Sequence, residues 1–264
     1  MRILIIGDVV GRPGRRAVAS LLPGLRQQYN LDLVIANAEN AAGGAGLTPE
    51  TAEELLQGVD VLTTGNHVWN YKEMASYLGG DRPVLRPLNY PPAVPGRGYL
   101  IKDNALVVNL VGRVFMGHFD CPFRAMDELL ERLSPKPPVI LVDFHAEATS
   151  EKVALGRYLD GRVSVVVGTH THVGTIDAAI LRGGTAFITD VGMVGPADSI
   201  IGADVDEVLY RFLTLMPGRM PPGKGPVIFN SVLVEVDDGG RAVSIVRLDQ
   251  EFTETIDESR PSPA

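Results

Sequence analysis

The chain has 264 residues, 45% of them hydrophobic, and a formal net charge of −8 at pH 7. This composition predicts a globular protein with a sizeable core, and the acidic charge argues against an extended nucleic-acid footprint. No stretch approaches the roughly 20 apolar residues of a membrane span, and the run after Met1 lacks a signal-peptide pattern, so we expect a cytoplasmic protein without membrane partners. Cys121 is the only cysteine, which excludes an intramolecular disulfide and a thiolate metal site.

Short apolar runs with strand character alternate along the chain with segments that carry helix signals, such as Thr48 as an N-cap. The alternation predicts an α/β sandwich of mixed sheets covered by helices, formed by one domain over residues 1–252. The polar, Pro-containing residues 253–264 are expected to form a loosely ordered tail, and the Pro-rich residues 83–95 an irregular excursion. In chain order the predicted elements are strand 3–7, helix 13–29, strand 31–36, helix 49–57, strands 59–63 and 105–111, helix 124–133, strand 139–144, helix 151–158, strands 163–168 and 186–189, helix 204–213, and a hairpin of 228–236 with 242–248.

Residue types that bind metals follow five of the predicted strands. Because strand ends converge in α/β folds, side chains that are far apart in sequence can meet in one crevice. Four of the five histidines of the chain belong to this set. The residues concerned are Asp8, Glu39, Asn40, Asn66, His67, His145, His170 and His172.

Three of these positions have an ordinary structural explanation when each is taken singly. Asp8 could cap the turn after its strand, and Glu39 with Asn40 could belong to a polar turn before the glycine-rich residues 43–46. His145 could be a buried structural histidine, and we assign the fifth histidine, His118, a structural or surface position.

Two local patterns point more directly to metal chemistry. In Gly65-Asn66-His67, the Asn66 amide oxygen can bind a metal while the neighbouring imidazole stays free to donate a proton, although a capped strand end is the alternative. His170 and His172 can both face adjacent ions if they lie at a strand-to-loop turn, against the alternative of a surface pair. Since separate explanations would be needed at every strand end, we favour one common metal site.

The candidate residues lie in five longer motifs: Gly7-Asp8-Val9-Val10-Gly11, Asn37-Ala38-Glu39-Asn40-Ala41, Thr64-Gly65-Asn66-His67-Val68-Trp69, Asp143-Phe144-His145-Ala146-Glu147-Ala148 and Gly168-Thr169-His170-Thr171-His172. These motifs resemble those of the metallophosphoesterase superfamily over most of the chain, and within it the YmdB-type bacterial phosphodiesterases. The resemblance implies a four-layered αββα sandwich with a dinuclear metal site at the carboxyl ends of the strands. It also implies hydrolysis of cyclic-nucleotide phosphodiesters, notably 2′,3′-cyclic AMP, with 3′,5′-cyclic AMP as a second candidate.

The resemblance also implies a role for each residue. Asp8, Glu39, Asn40 and His172 would hold a first ion, and Glu39, Asn66, His145 and His170 a second. Hydroxide activated between the ions would attack phosphorus, and His67 would act as the general acid. Two features depart from the wider superfamily but match the YmdB-type branch: Val10 stands where a histidine is usual, and Glu39 where an aspartate usually bridges the ions. Iron, manganese, zinc and magnesium all fit such ligands.

Two other functions are compatible with part of this pattern. A metal-dependent amidohydrolase also uses a His-x-His pair, but early in the chain, whereas His170 and His172 come late. A regulatory protein could use the same site to sense a phosphate or nucleotide without turnover. For the enzyme we expect a small cyclic nucleotide or other phosphodiester as the partner, and a homo-oligomer, of which a dimer is the commonest form.

Overall fold

The computed structural model describes residues 1–253. Over this range the chain alternates between strands and helices, as its hydrophobic pattern predicts. The elements are β1 (Arg2–Val9), α1 (Gly11–Tyr29), β2 (Leu33–Asn37), α2 (Pro49–Leu55), β3 (Val61–Thr63), α3 (Met74–Leu78), β4 (Tyr99–Lys102), β5 (Ala105–Val111), α4 (Pro122–Arg132), β6 (Val139–His145), α5 (Thr149–Leu159), β7 (Val165–Thr169), β8 (Ala179–Ile180), β9 (Ala186–Ile188), β10 (Met193–Pro196), α6 (Val205–Thr214), β11 (Val227–Phe229), β12 (Ser231–Val236), β13 (Ala242–Arg247) and β14 (Gln250–Phe252).

The strands form two mixed sheets. In the eight-stranded sheet, β1 is central: it pairs in parallel with β2 and β10 and antiparallel with β12, and β2 pairs in parallel with β3. In the six-stranded sheet the order is β4-β5-β6-β7-β9-β8, with the four inner strands parallel. The parallel strands of each sheet therefore bring their carboxyl ends to one edge.

Alternation along the buried strands builds three hydrophobic layers. In β1, Ile3 and Ile5 pack in the core between the two sheets, whereas Leu4 and Ile6 face α1 and α2. The six-stranded sheet likewise packs its other face against α4 and α5, in the core that contains Phe144. Because successive side chains of a strand point to opposite faces, strands buried on both sides read as continuous apolar runs. These three cores separate four layers of secondary structure in the order αββα, with the two sheets inside. The predicted fold class is confirmed.

The predicted strand 105–111 and the N-cap Thr48 agree with the structure, and the other predicted strands and helices are found with small shifts at their ends. The predicted strand 228–236 is wrong in one respect, because Asn230 separates β11 from β12, which pair with different neighbours. The short elements α3, β4, β8, β10 and β14 were not predicted.

The predicted irregular excursion at 83–95 contains no helix or strand. Apart from Thr253, the predicted tail 253–264 lies outside the described residues, and the single-domain organisation over 1–252 stays a prediction. No helix within residues 1–253 is both long and apolar enough to cross a membrane.

Candidate metal centre

The predicted site residues meet where the carboxyl ends of the two sheets face each other. From the eight-stranded sheet, Asp8 is the penultimate residue of β1, Glu39 follows β2 and Asn66 follows β3. From the six-stranded sheet, His145 is the last residue of β6 and His170 follows β7. The edges are held together by direct bonds, since Asn37 Nδ2 at the end of β2 donates to Asp143 Oδ2 in β6 over 3.1 Å.

Short distances join the predicted residues into one cluster. Glu39 Oε1 lies 2.9 Å from His145 Nε2 and 3.3 Å from His67 Nδ1. His170 Nδ1 lies 3.0 Å from His145 Nε2. His172 Nε2 lies 2.9 Å from Asn40 Nδ2 and 3.8 Å from Asp8 Oδ1.

Hydrogen bonds outside the cluster determine which nitrogen of each clustered histidine carries a proton. His172 Nδ1 donates to the carbonyl oxygen of Ile201 over 2.7 Å, because a carbonyl can only accept. His170 Nε2 lies 3.1 Å from the carboxylate of Glu147. His145 Nδ1 lies 3.0 Å from the hydroxyl of Thr169.

The Thr169 hydroxyl gives its own proton to Asp143 Oδ1 over 2.8 Å, so its oxygen accepts the proton of His145 Nδ1. In the neutral imidazole of all three histidines, the lone pair then lies on the nitrogen that faces the cluster. Such partners orient metal-binding histidines in proteins, and they are the chemistry expected of ligands.

Two buried oxygens complete the donor set. Within residues 1–253, Asp8 Oδ1 and Asn66 Oδ1 are buried without a hydrogen-bond partner. An unsatisfied buried acceptor is costly, and the histidine nitrogens nearest to Asp8 Oδ1, His145 Nδ1 and His172 Nε2, are both 3.8 Å away, beyond hydrogen-bond distance. Glu39, His145 and His170 also place ligand atoms within 4.8 Å of one another. A cation fits this arrangement, because it satisfies carboxylate, amide oxygen and imidazole donors together.

The His170-Thr171-His172 turn has an unusual backbone. Both histidines have positive φ angles, 103° and 65°, which residues other than glycine rarely adopt. Asp190 holds the turn: its Oδ2 accepts hydrogen bonds from Thr171 N and Thr171 Oγ1 at 3.2 and 2.8 Å. The buried Lys152 Nζ donates to the same oxygen over 2.6 Å. The predicted turn is present, and an ion pair beneath it sets the direction of both imidazoles.

Asp143 connects the side chains around His145, as Asp190 does for the turn. Its carboxylate accepts hydrogen bonds from Thr169 and Asn37, and also from the hydroxyl of Thr63 over 2.5 Å. Burial raises the pKa of Asp143, although these hydrogen bonds and the nearby His145 act in the opposite direction.

The pKa values of the clustered groups are shifted by burial and by the charges of their neighbours. Burial raises the pKa of Asp8 to about 6, against the effect of His172 and His145. Burial also disfavours the charged forms of Glu39 and His145, but their mutual attraction prevails: the pKa of Glu39 falls well below its ordinary value and that of His145 rises to about 9. Burial and the neighbouring His145 lower the pKa of His170 to about 3. The cluster therefore favours one positive charge on His145, beside Glu39, and disfavours a second on His170.

His67 lies at the rim of the cluster. Its Nδ1 is 3.0 Å from Asn40 Oδ1, its backbone N–H donates to Glu39 Oε2 over 3.1 Å, and its Nε2 makes no hydrogen bond within the described chain. The side-chain contact between His67 Nδ1 and Glu39 Oε1, at 3.3 Å, raises the pKa of His67, against burial. The ring lines a cavity of about 1370 Å³ that also borders Glu39, Asn40, His170 and His172.

Several positions that support the cluster were not found from the sequence. Gly65 is one, because a Cβ atom there would overlap Glu39 and His145. Asp190 could have been found, since it follows the predicted strand 186–189 as the other site residues follow theirs. Asp143 had no such signal, because it lies inside a strand. His118 is exposed, which is one of the two positions predicted for it, and Val10 lines the cavity.

The chain matches the YmdB-like protein family over residues 4–248 and therefore belongs to that family. It is 47% identical over 254 residues to the 2′,3′-cyclic-nucleotide 2′-phosphodiesterase of Bacillus subtilis, a match that covers 94% of this chain and 96% of that protein. The family predicted from the motifs is confirmed, and the predicted class of enzyme, a phosphoesterase hydrolase, is supported.

Solved structures agree with this assignment. A hypothetical protein from Thermus thermophilus superposes with a TM-score of 0.89 at 49% identity, covering 95% of this chain and 99% of the other. A phosphatase from Mycoplasma pneumoniae superposes with a TM-score of 0.89 at 32% identity, covering 96% of this chain and 94% of the other.

Proposed function

We propose that the protein is a dinuclear metal-dependent phosphodiesterase that hydrolyses cyclic nucleotides, with 2′,3′-cyclic AMP as its first candidate substrate. The observation that carries the proposal is the convergence of inward-facing nitrogens of three histidines, beneath an open cavity lined by Glu39, His170 and His172, in a region where two buried oxygens have no hydrogen-bond partner. The name of the Bacillus subtilis relative supports this choice of substrate class.

The proposed ligands divide between the two ions as the sequence resemblance implies. Asp8, Asn40 and His172 would hold one ion, and Asn66, His145 and His170 the other. Glu39 would serve both. The contact of its carboxylate with His145 Nε2 supports its place at the second ion, and its proximity to Asp8, whose pKa it raises, supports its place at the first. Iron, manganese, zinc and magnesium remain the candidates, since the ligands are nitrogen and oxygen atoms only.

Asn40 can take this role only if its amide oxygen faces His172. In the structure the nitrogen faces His172 and the oxygen faces His67, and a half-turn of the amide exchanges them. After that exchange Asn40 Nδ2 would donate to His67 Nδ1, which places the proton of a neutral His67 on Nε2.

The protein's side chains have distinct tasks in the proposed reaction. Bound at the cluster, the ions supply the positive charge that lowers the pKa of a water and polarises the phosphoryl oxygens. Thr169, Glu147 and Ile201 keep the three histidines oriented. His67 gives a proton from Nε2, which is open to the cavity, to the departing ribose oxygen, and a near-neutral imidazole suits that transfer.

The proposal is tested by measuring hydrolysis of 2′,3′-cyclic AMP by manganese-loaded protein, a chelated sample and the His67→Ala variant. We expect the chelator to abolish turnover, and the substitution to lower turnover about 100-fold or more while metal content stays at two ions per chain. His118→Ala is the matched control, because that histidine is exposed and outside the cavity lining.

Three outcomes would contradict parts of the proposal. Loss of both ions on His67→Ala would refute its role as a free acid. Turnover that is insensitive to the chelator would refute the metal mechanism. Tight, metal-dependent binding of the nucleotide without turnover would show a sensor in place of an enzyme.

A further inference from the structure

A second cavity, of about 950 Å³, lies between α4 and the segment that leads into β4. Its walls come from most of residues 86–92, from residues 97–101, and from one face of α4 with the two residues before it and the one after it. It shares no lining residue with the cavity at the metal centre. It is therefore a separate feature of the molecule, and the proposed function does not use it.

The lining of this cavity is positively charged, although the whole chain is acidic. Four arginines and two carboxylates border it, whereas the chain carries a net charge of −8. One of the carboxylates, Glu128, is already paired with Arg132 over 3.1 Å. Asp120 is the other carboxylate. Positive charge is thus in excess on one concave surface, which favours anions.

Two of the arginines are short of partners. Arg86 is only 6% exposed and donates to the backbone carbonyls of Pro87, Leu88 and Pro95, but it pairs with no carboxylate within residues 1–253. Arg97 is half-buried and its Nη2 donates to the Arg82 carbonyl over 3.0 Å, but its buried Nε has no hydrogen-bond partner and it pairs with no carboxylate within the described residues. A buried guanidinium that lacks a counter-charge is costly, and a bound anion would supply that charge.

The start of α4 adds to this preference. The helix has no side-chain cap at Cys121 and no acidic residue in its first turn, and Cys121, Arg124 and Ala125 line the cavity. Free N–H groups at a helix start attract negative charge. Arg124 forms no ion pair or hydrogen bond with the described chain and is available to a ligand.

The rest of the lining is aromatic and apolar. Tyr90 and Tyr99 border the cavity together with Leu88, Leu100 and Leu129. Such a combination of flat apolar walls and a few directed charges is typical of sites for small organic anions.

We propose that this cavity binds a small molecule that carries a phosphate or phosphonate group and an aromatic portion. The anionic group lies among Arg86, Arg97 and Arg124 near the start of α4, and the aromatic portion lies against Tyr90. The site is independent of the metal centre.

Trp69 provides the readout. It is the only tryptophan of the chain, and its ring packs edge-on against Tyr90 at 6.1 Å between centroids. A ligand that contacts Tyr90 changes the surroundings of the single indole, so its fluorescence reports binding.

The probe is phenylphosphonate, whose phosphorus–carbon bond is not a substrate for ester hydrolysis, with inorganic phosphate as a second probe that lacks the ring. Each is titrated into metal-loaded protein, followed by Trp69 fluorescence and by calorimetry. The variants are Arg124→Glu and Arg124→Gln, with Arg157→Glu on the exposed face of α5 as the control. Repeating the titrations with a chelator removes any binding to the metal centre.

We expect phenylphosphonate to bind wild type more tightly than phosphate does, with or without the chelator. Arg124→Glu should weaken its binding at least tenfold and Arg124→Gln by less, while Arg157→Glu stays within twofold of wild type. Circular dichroism confirms that each variant is folded. The proposal is overturned if wild-type binding disappears with the chelator, or if the Arg124 variants bind as the control does.

Discussion

Gly65 shows how one missing side chain permits the candidate site. Its position after β3 brings the backbone against Glu39 and His145, and a Cβ atom would collide with both. The φ angle of Gly65 is not in the left-handed region, so alanine is compatible with the backbone. The glycine is therefore required by the close approach of the two side chains.

We expect Gly65→Ala to lower metal affinity and turnover at least tenfold, because Glu39 or His145 must move from its place. Metal content and 2′,3′-cyclic AMP hydrolysis are the measurements. Gly24→Ala in α1 is the control: its Cβ would meet nothing within 4 Å, so the variant should keep both properties and gain roughly 0.5 kcal/mol of stability. Equal metal content in both variants would contradict this account of Gly65.

At the level of single residues, the sequence predicted the cluster because its members follow apolar runs. The rule worked for Asp8, Glu39, His145 and His170, which the structure brings together. It could not reveal Asp143, whose carboxylate is linked to the site by hydrogen bonds with Thr169 and Asn37, residues from other strands. Contacts between distant strands depend on the register of both sheets, and that register is not written in any local pattern.

The turn between β7 and β8 shows how an element can be held in a strained shape. The positive φ angles of His170 and His172 cost energy, and the buried pair of Lys152 and Asp190 lies directly beneath them. Asp190 also accepts hydrogen bonds from Thr171 and from the Gly192 backbone. The ion pair thus connects α5 to the turn that presents two proposed ligands.

Lys152→Met should destabilise the protein by about 3 kcal/mol, because it leaves the Asp190 carboxylate buried without its counter-charge. It should also weaken metal binding, since Asp190 would no longer hold the turn in one position. Chemical denaturation and metal titration give the two numbers. The matched change Arg132→Met breaks the exposed pair with Glu128 and should cost no more than about 0.5 kcal/mol. If the two variants were equally stable, the pair would have no structural role.

At the level of elements, strands buried on both faces were predicted best, since an unbroken apolar run has few alternatives. The elements that were missed are short: β8 has two residues and β14 has three. Asn230 breaks the predicted strand 228–236 because β11 pairs with β10 and β14, whereas β12 pairs with β1. Only the completed sheet determines where such a strand divides.

For the whole molecule, the candidate metal centre acts as a connection between the two sheets. Asp8 lies in β1 and Glu39 follows β2 of one sheet, whereas His145 ends β6 and His170 follows β7 of the other. In an unfolded chain these residues are far apart in sequence, so ions that need all of them bind the folded state alone. Metal binding should therefore raise the resistance of the entire fold to heat.

Manganese at 100 times its dissociation constant should add about 2.7 kcal/mol per independent site, which corresponds to a rise in Tm of roughly 5–10 °C for a chain of this size. Differential scanning calorimetry with metal and with chelator measures the shift. Glu39→Gln is the control, because it removes the carboxylate charge that both ions would share, and it should lose most of the shift. If Glu39→Gln kept the full shift and normal metal content, the bridging role of Glu39 would fail. A wild-type Tm that does not respond to metal would argue against a site that joins both sheets.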